Sequence, residues 1–336
     1  MEFGGRASFM CFVPLFFMKE SRTRLKDGRS NRGGTILVKK YQAVSFLVLA
    51  NLFWAGNYVF GKYVVNEMTP VQMTFVRWLI AVLILFPIAH VIEKPNWGRV
   101  WKRWKILLIM SLLGIVGYNV LLYEALRFTT SLNAALVNSM NPAMIVLFAV
   151  WFLKEKIPLA NSLGLLISLA GVLLVLTRGA LLQVFSIHYN QGDLLMLLAI
   201  TVWTFYTLIG KKLGDIPPIA ATAVSATLGL LVLLPFFLTS GFSYHLSGIA
   251  TMGILYIALF PSVCSFVFWN YAVRAVGASR SGIYLNLLAV FTALISLILG
   301  NPITLPQILG GALVIVGVYL TNRKSTAKEE AKTRYA

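Results

Sequence analysis

The chain has 336 residues, 58% hydrophobic and only 12% charged, where soluble domains carry roughly 25% charged residues. That leaves too little polar surface to cover a water-soluble globule, so lipid is the expected solvent. A formal net charge of +18 would point to nucleic acid in a soluble protein, but here the basic residues sit in short loops and tails, where they set membrane orientation.

Residues 1–40 differ from everything that follows. The apolar stretch Phe9 to Met18 is too short to cross a bilayer, and Lys19 to Arg32 is polar and basic. The positive charges follow the apolar run and no small-residue cleavage pattern separates them, so a signal peptide fits poorly. The expectation is a basic, disordered cytoplasmic tail with weak attraction to anionic lipid. Translation is expected to begin at position 38. Valine can be encoded by a bacterial start codon, and Arg32-Gly33-Gly34 by a purine-rich ribosome-binding sequence.

Ten apolar runs follow, near 41–61, 71–92, 106–126, 132–152, 159–177, 193–210, 219–239, 249–270, 280–299 and 305–322. Each has the length a helix needs to cross about 30 Å of hydrocarbon. Turn formers separate them at Thr69-Pro70, Lys94-Pro95-Asn96, Ile157-Pro158, Pro217-Pro218 and Asn301-Pro302. The predicted fold class is an all-α integral membrane protein of ten transmembrane helices. Its parts are a tail (1–40), a first five-helix repeat (41–177), an external connection (178–192), a second repeat (193–322) and a basic cytoplasmic tail (323–336).

Lys and Arg fix the orientation. With the N-terminus inside, 25 of 29 lie on the cytoplasmic side, which predicts N-in and C-in in a bacterial inner membrane. The two halves share a frame. Trp54-Ala-Gly-Asn-Tyr-Val-Phe-Gly-Lys62 returns as Trp203-Thr-Phe-Tyr-Thr-Leu-Ile-Gly-Lys211. Pro70 and Pro87 match Pro218 and Pro235 at an offset of 148, and Gly171-Val172 matches Gly317-Val318 at 146. A duplicated unit of five helices must insert the second copy upside down. The strongly basic loop Lys94 to Lys105 and its counterpart Thr239 to Gly248, which has no Lys or Arg, agree with this.

Candidate pathway residues lie deep in the runs. Trp54 and Asn57, and Trp203 and Tyr206, are each three apart and share a helix face. Equivalent faces of two repeats meet at the pseudo-twofold axis, where a substrate cavity belongs. Arg77, inside the second run, is costly unless it faces a polar cavity or a partner, and it reads either as an anchor for a substrate carboxylate or as a structural Arg bonded to helix-end carbonyls or snorkelling outward. Asn138 and Asn141-Pro142 put amides and a freed carbonyl mid-helix, with Tyr118, Asn119, Tyr284 and Asn286 doing similar work, and for each of these interhelical hydrogen bonding stands beside substrate contact. Glu124 is the candidate coupling carboxylate, although Arg127 three residues on makes a helix-end ion pair the competing account. Gly164, Gly171, Gly310 and Gly317 read as helix-packing positions.

Cys11 and Cys264 lie far apart without metal spacing, and neither a disulfide nor a site is assigned to them. His90, His188 and His245 fall at or beyond run ends with no Cys or carboxylate cluster beside them. No metal or cofactor is expected. The expected partners are a small-molecule substrate and the lipid bilayer, with no nucleic acid; a homodimer stays open.

Asn51-Leu-Phe-Trp-Ala-Gly-Asn57, Phe75-Val-Arg-Trp78, Asn141-Pro142 and Lys154-Glu-Lys156 resemble EamA-type members of the drug/metabolite transporter superfamily, over about residues 41 to 322. Family members commonly carry Gly-Glu-Pro before the last helix, where this chain has Gly300-Asn301-Pro302. The resemblance implies export of amino acids, metabolites or drugs. Together with the inverted repeats, it gives as the expected function a secondary transporter exporting a small amphipathic metabolite or amino acid across the inner membrane by alternating access. The alternative is a membrane-embedded enzyme acting on a lipid or lipid-linked substrate, but the runs hold no paired carboxylates, Ser/His pair or metal constellation for it.

Overall fold

The computed structural model describes residues 32–153, 159–183, 190–210, 213, 216–241, 246–276 and 284–334. Cys11, Lys154-Glu155-Lys156, His188, Lys211 and His245 lie outside the described residues, as does most of the expected N-terminal tail. Among the described residues every regular element is helical. In chain order the long ones are α1 (Arg32–Val64), α2 (Pro70–Ile88, with a π-turn Ala89–Glu93) and α3 (Trp104–Met110, a π-turn Ser111–Gly117, then Tyr118–Phe128). There follow α4 (Ser131–Asn138 and Asn141–Leu153), α5 (Leu159–Leu176), α6 (Gln191–Gly210) and α7 (Pro218–Thr239). Last come α8 (Gly248–Leu259, a π-turn Phe260–Cys264, then Ser265–Val276), α9 (Tyr284–Asn286 and Leu287–Ile298) and α10 (Leu305–Arg334).

Six of these, α1, α2, α3, α6, α7 and α8, are long and apolar enough to cross a membrane among the described residues. Among the described residues the apolar parts of α5, α9 and α10 are shorter, at Leu166–Val175, Tyr284–Ile298 and Leu305–Gly317, and α4 is interrupted. In α4 the expected single run breaks at Ser139 and Met140. Pro142 has no N–H to donate, so it is accommodated in the first turn of a new helix rather than inside an old one. Both ends of the bundle are more helical than expected: α1 starts at Arg32 rather than Tyr41, and α10 continues beyond residue 322 to Arg334.

Local chemistry sets the helix starts. Thr69 and Gln72 form a reciprocal capping box on α2, with Pro70 in the first turn. Ser247 caps α8 through Ala250 N at 3.2 Å. The start of α7 follows Pro217, which has no side-chain cap to offer. Glu93 reaches across from α2 instead, its carboxylate accepting from Ile219 N (3.0 Å) and Ala220 N (2.8 Å). At the other end of the same pair, Gln72 Nε2 donates to Ser240 O (3.2 Å) and Oγ (3.0 Å).

The interior divides into two apolar clusters, and both draw on both halves of the chain. One gathers Met73, Leu122, Leu126 and Val137 with Met196, Ile200, Ile257 and Val314. The other joins Leu47, Trp78, Leu85 and Leu107 to Val224, Leu230, Val263 and Phe268. Helices α5 and α10 pack along the glycine faces read from the sequence, Gly171 against Gly310 and Gly317 against Gly164. Small residues let backbones touch where lipid offers no hydrophobic drive for association. The halves thus interlock, which places their shared interface, and the polar residues on it, at the centre of the bundle.

Candidate central cavity

The polar centre is built around Arg77 on α2, only 2% exposed. Its Nη1 donates to Asn119 Oδ1 at 2.8 Å, to Asn57 Oδ1 at 3.4 Å and to the Tyr123 hydroxyl. Its Nε donates to Ser262 Oγ at 2.9 Å. Cζ stands 5.4 Å from the Trp78 ring and 5.7 Å from the Tyr123 ring, close enough for cation–π attraction. Hydrogen bonds to a charged group stabilise by about 1.5–3 kcal/mol each, so these neutral oxygens together offset a desolvation cost of several kcal/mol. Among the described residues no carboxylate pairs with the guanidinium.

Two π-turns make this arrangement possible. In α3 the widened turn Ser111–Gly117 leaves carbonyls without helical donors, and Asn119 Nδ2 satisfies Gly114 O (3.0 Å) and Ile115 O (2.9 Å) while its Oδ1 meets Arg77. In α8 Pro261 cannot donate to Ile257 O, and the Ser262 hydroxyl takes its place at 2.8 Å. The Pro261 carbonyl in turn accepts from Trp54 Nε1 at 3.2 Å. Tyr256 hydroxyl to Phe53 O (3.2 Å) and Ser265 Oγ to Ala50 O (3.1 Å) fasten α8 to α1 above and below.

A cavity of about 40 Å³ opens beside Arg77, lined by Trp54, Asn57, Tyr58, Tyr118, Asn119, Asn138, Asn141, Trp203, Phe266, Leu285 and Leu288. The Tyr58 and Tyr118 hydroxyls pair at 2.9 Å, and Tyr118 donates onward to Asn138 Oδ1 at 3.2 Å. Asn141 is 2% exposed, and its Oδ1 has no donor among the described residues. The aromatic walls interlock: Trp54 meets Phe266 edge-on at 6.0 Å, and Trp203 lies 4.8 Å from both Tyr118 and Tyr206. The free volume matches little more than one water molecule, whose share of the liquid is about 30 Å³. Ligand sites usually offer about 300–1,000 Å³. The cavity is therefore smaller than such a site.

Of the residues singled out from the sequence, Trp54, Asn57, Arg77, Tyr118, Asn141 and Trp203 come together on this cavity. Tyr206 stands behind Trp203, its ring against the Gly114 backbone, where a Cβ would not fit. Glu124 is elsewhere: it pairs with Arg127 at 3.1 Å in a solvent-exposed i,i+3 bridge and does not line the cavity. The geometry favours the ion-pair account of it. Sequence reasoning passed over Tyr123, Ser262 and Phe266. Tyr123 lies one turn beyond Asn119 on the same face, a spacing that could have exposed it.

Comparison with known proteins agrees with this architecture. The EamA-like transporter family matches residues 42–177 and again 190–323. "Uncharacterized transporter YyaM" of Bacillus subtilis (strain 168) is 28% identical over 80% of this chain and 89% of its own length. An "Uncharacterized transporter" of Archaeoglobus fulgidus is 30% identical over 83% of this chain and 96% of its own. "Uncharacterized transporter YetK" of Bacillus subtilis (strain 168) is 30% identical over 86% and 89%. A solved crystal structure superposes with a TM-score of 0.62 at 17% identity, covering 86% of this chain and 99% of that one, and so shares the fold. With two matched repeats, homologous transporters and helices built to cross a membrane, the chain belongs to the EamA-like transporter family, as a ten-helix, two-repeat membrane protein.

Proposed function

We propose that this membrane transporter exports a small amphipathic metabolite or amino acid across the bacterial inner membrane by alternating access. The asymmetry of Lys and Arg supports N-in and C-in, with the two repeats inserted in opposite senses. Trp54, Asn57, Arg77, Tyr118, Asn141 and Trp203 form the pathway wall, with Tyr206 supporting Trp203 from behind.

One observation carries the reading. The cavity at the repeat interface combines aromatic walls with a buried guanidinium that, among the described residues, meets no carboxylate and an amide oxygen, Asn141 Oδ1, that meets no donor there. Buried polar groups cost free energy when unpartnered, so such a site suits a solute that brings its own anion and donor and an apolar body to lie against the rings. A packing core would have no use for that combination. The test is efflux from proteoliposomes loaded with a panel of amino acids and cationic drugs. At least one compound should leave faster than from protein-free vesicles; a panel that leaks equally from both sinks the reading.

A further inference from the structure

We propose that Ser262 is a specificity-determining latch: it holds the edge of Arg77 that the carboxylate of a transported anion or zwitterion takes, and its displacement frees the guanidinium from α8. This rests on the transport reading above.

The three guanidinium nitrogens are unequally held. Nη1 faces Asn119 Oδ1 (2.8 Å), Asn57 Oδ1 (3.4 Å) and the Tyr123 hydroxyl. Nε faces Ser262 Oγ alone, at 2.9 Å. Among the described residues no acceptor meets Nη2. A carboxylate prefers to bind a guanidinium through two parallel N–H groups. The Nη1/Nη2 edge would require disturbing three acceptors that also hold one another, since Tyr123 donates to Asn57 Oδ1 at 2.8 Å. The Nε/Nη2 edge requires the loss of a single bond to a neutral hydroxyl. A bond in which both partners are charged is the stronger one, so the carboxylate wins that edge.

The identity of the broken bond gives the step its consequence. Asn57, Asn119 and Tyr123 belong, with Arg77, to the first repeat, on α1 and α3. Ser262 belongs to α8 of the second, and its bond is the one that carries the guanidinium across the repeat boundary among the described residues. Ser262 can also let go without being stranded. Its own hydroxyl hydrogen remains on Ile257 O, at the place Pro261 leaves open. The device is single: at the offset of 148 that aligns Pro70 with Pro218, Arg77 matches Ser225, a buried neutral residue.

The test uses the full chain in lipid nanodiscs, with benzoate as the carboxylate probe and benzamide as its neutral isostere. Hydrogen–deuterium exchange should rise across Phe260–Cys264 with benzoate, stay unchanged across Ser111–Gly117, and respond to benzamide in neither. Ser262→Ala should bind radiolabelled benzoate about tenfold more tightly, the equivalent of one lost competing bond to a charged group, with no change for benzamide. Ser262→Thr, which keeps the hydroxyl, should restore the wild-type affinity. If Ser262→Ala does not fold, the benzoate–benzamide contrast in the wild-type chain and in Ser262→Thr decides alone. Unchanged or reduced exchange across Phe260–Cys264 with benzoate, or benzoate binding no tighter to a folded Ser262→Ala, overturns the latch. Efflux of a panel compound alongside that result leaves the transport reading standing; benzoate opening the π-turn while no compound leaves the vesicles fails the transport reading instead.

Discussion

Gly171 and Gly310 touch backbone to backbone, so that a Cβ on Gly171 would stand 2.6 Å from the Gly310 carbonyl oxygen and one on Gly310 would stand 2.7 Å from that of Gly171. Neither helix can yield locally, because the obstacle is backbone and not a side-chain tip. Gly171→Leu should therefore lower stability by about 1–3 kcal/mol or more, as overpacking does. Gly248→Ala, where a Cβ meets nothing within 4 Å, should be close to neutral. Thermal unfolding followed by fluorescence-detected size exclusion compares the two; equal melting temperatures would mean that α5 and α10 do not pack this way.

Trp54→Ala and Trp203→Ala should each abolish transport in folded, inserted protein, because each removes a wall of the cavity. Trp54→Phe keeps a ring near Phe266 but loses the bond to Pro261 O, and should retain partial transport. Efflux rates normalised to reconstituted protein read all three.

For Arg77→Gln the expected loss depends on substrate charge. Carboxylate-bearing compounds should lose roughly 10- to 100-fold in apparent affinity, the scale of a charged hydrogen-bonded pair, and cationic ones much less. An equal loss across all charges would make Arg77 a structural residue.

Outside the membrane, Glu67 accepts from the Ser247 hydroxyl and from Ser247 N (2.7 Å). The hydroxyl bond first, and the amide bond second, hold its carboxyl below the usual 4.5. A depressed carboxylate contributes stability above its unfolded-state value and loses it as pH falls through the folded one. Glu67→Gln should therefore melt below the wild type at neutral pH, with the gap closing as pH drops below 4.5. A gap independent of pH would show that the carboxylate charge is irrelevant.

Orientation can be read with single cysteines. Gln183→Cys should react with an impermeant maleimide added outside intact cells, and Asn96→Cys only after permeabilisation. Reaction of both from one side would end the inverted-repeat account.

Hydropathy and duplication made the helices legible, since a run of about 20 apolar residues has few alternatives to spanning a bilayer. Trp54 and Trp203 were legible because the repeat displays them twice, and Arg77 because a charge in lipid is expensive. What hydropathy cannot register is a π-turn, in which one residue is added to a turn without any change in polarity. Pro261 hinted at one in α8; nothing in Ser111 to Gly117 did so in α3. Ser262 and Tyr123 were therefore hidden. Their role depends on which carbonyl is left open and which acceptor faces the guanidinium, and both are matters of register rather than composition.

The two fastenings between α2 and α7, Glu93 on Ile219 and Ala220 at one end and Gln72 on Ser240 at the other, have a mechanical meaning. A pair of rods clamped at both ends tilts as one lever. These two rods come from different repeats, so a hinge running between the halves would have to tear both clamps at every cycle. If this transporter alternates its access, its moving part is cut across the duplication, one helix from each copy travelling together while ancestry and machinery divide the bundle along different planes.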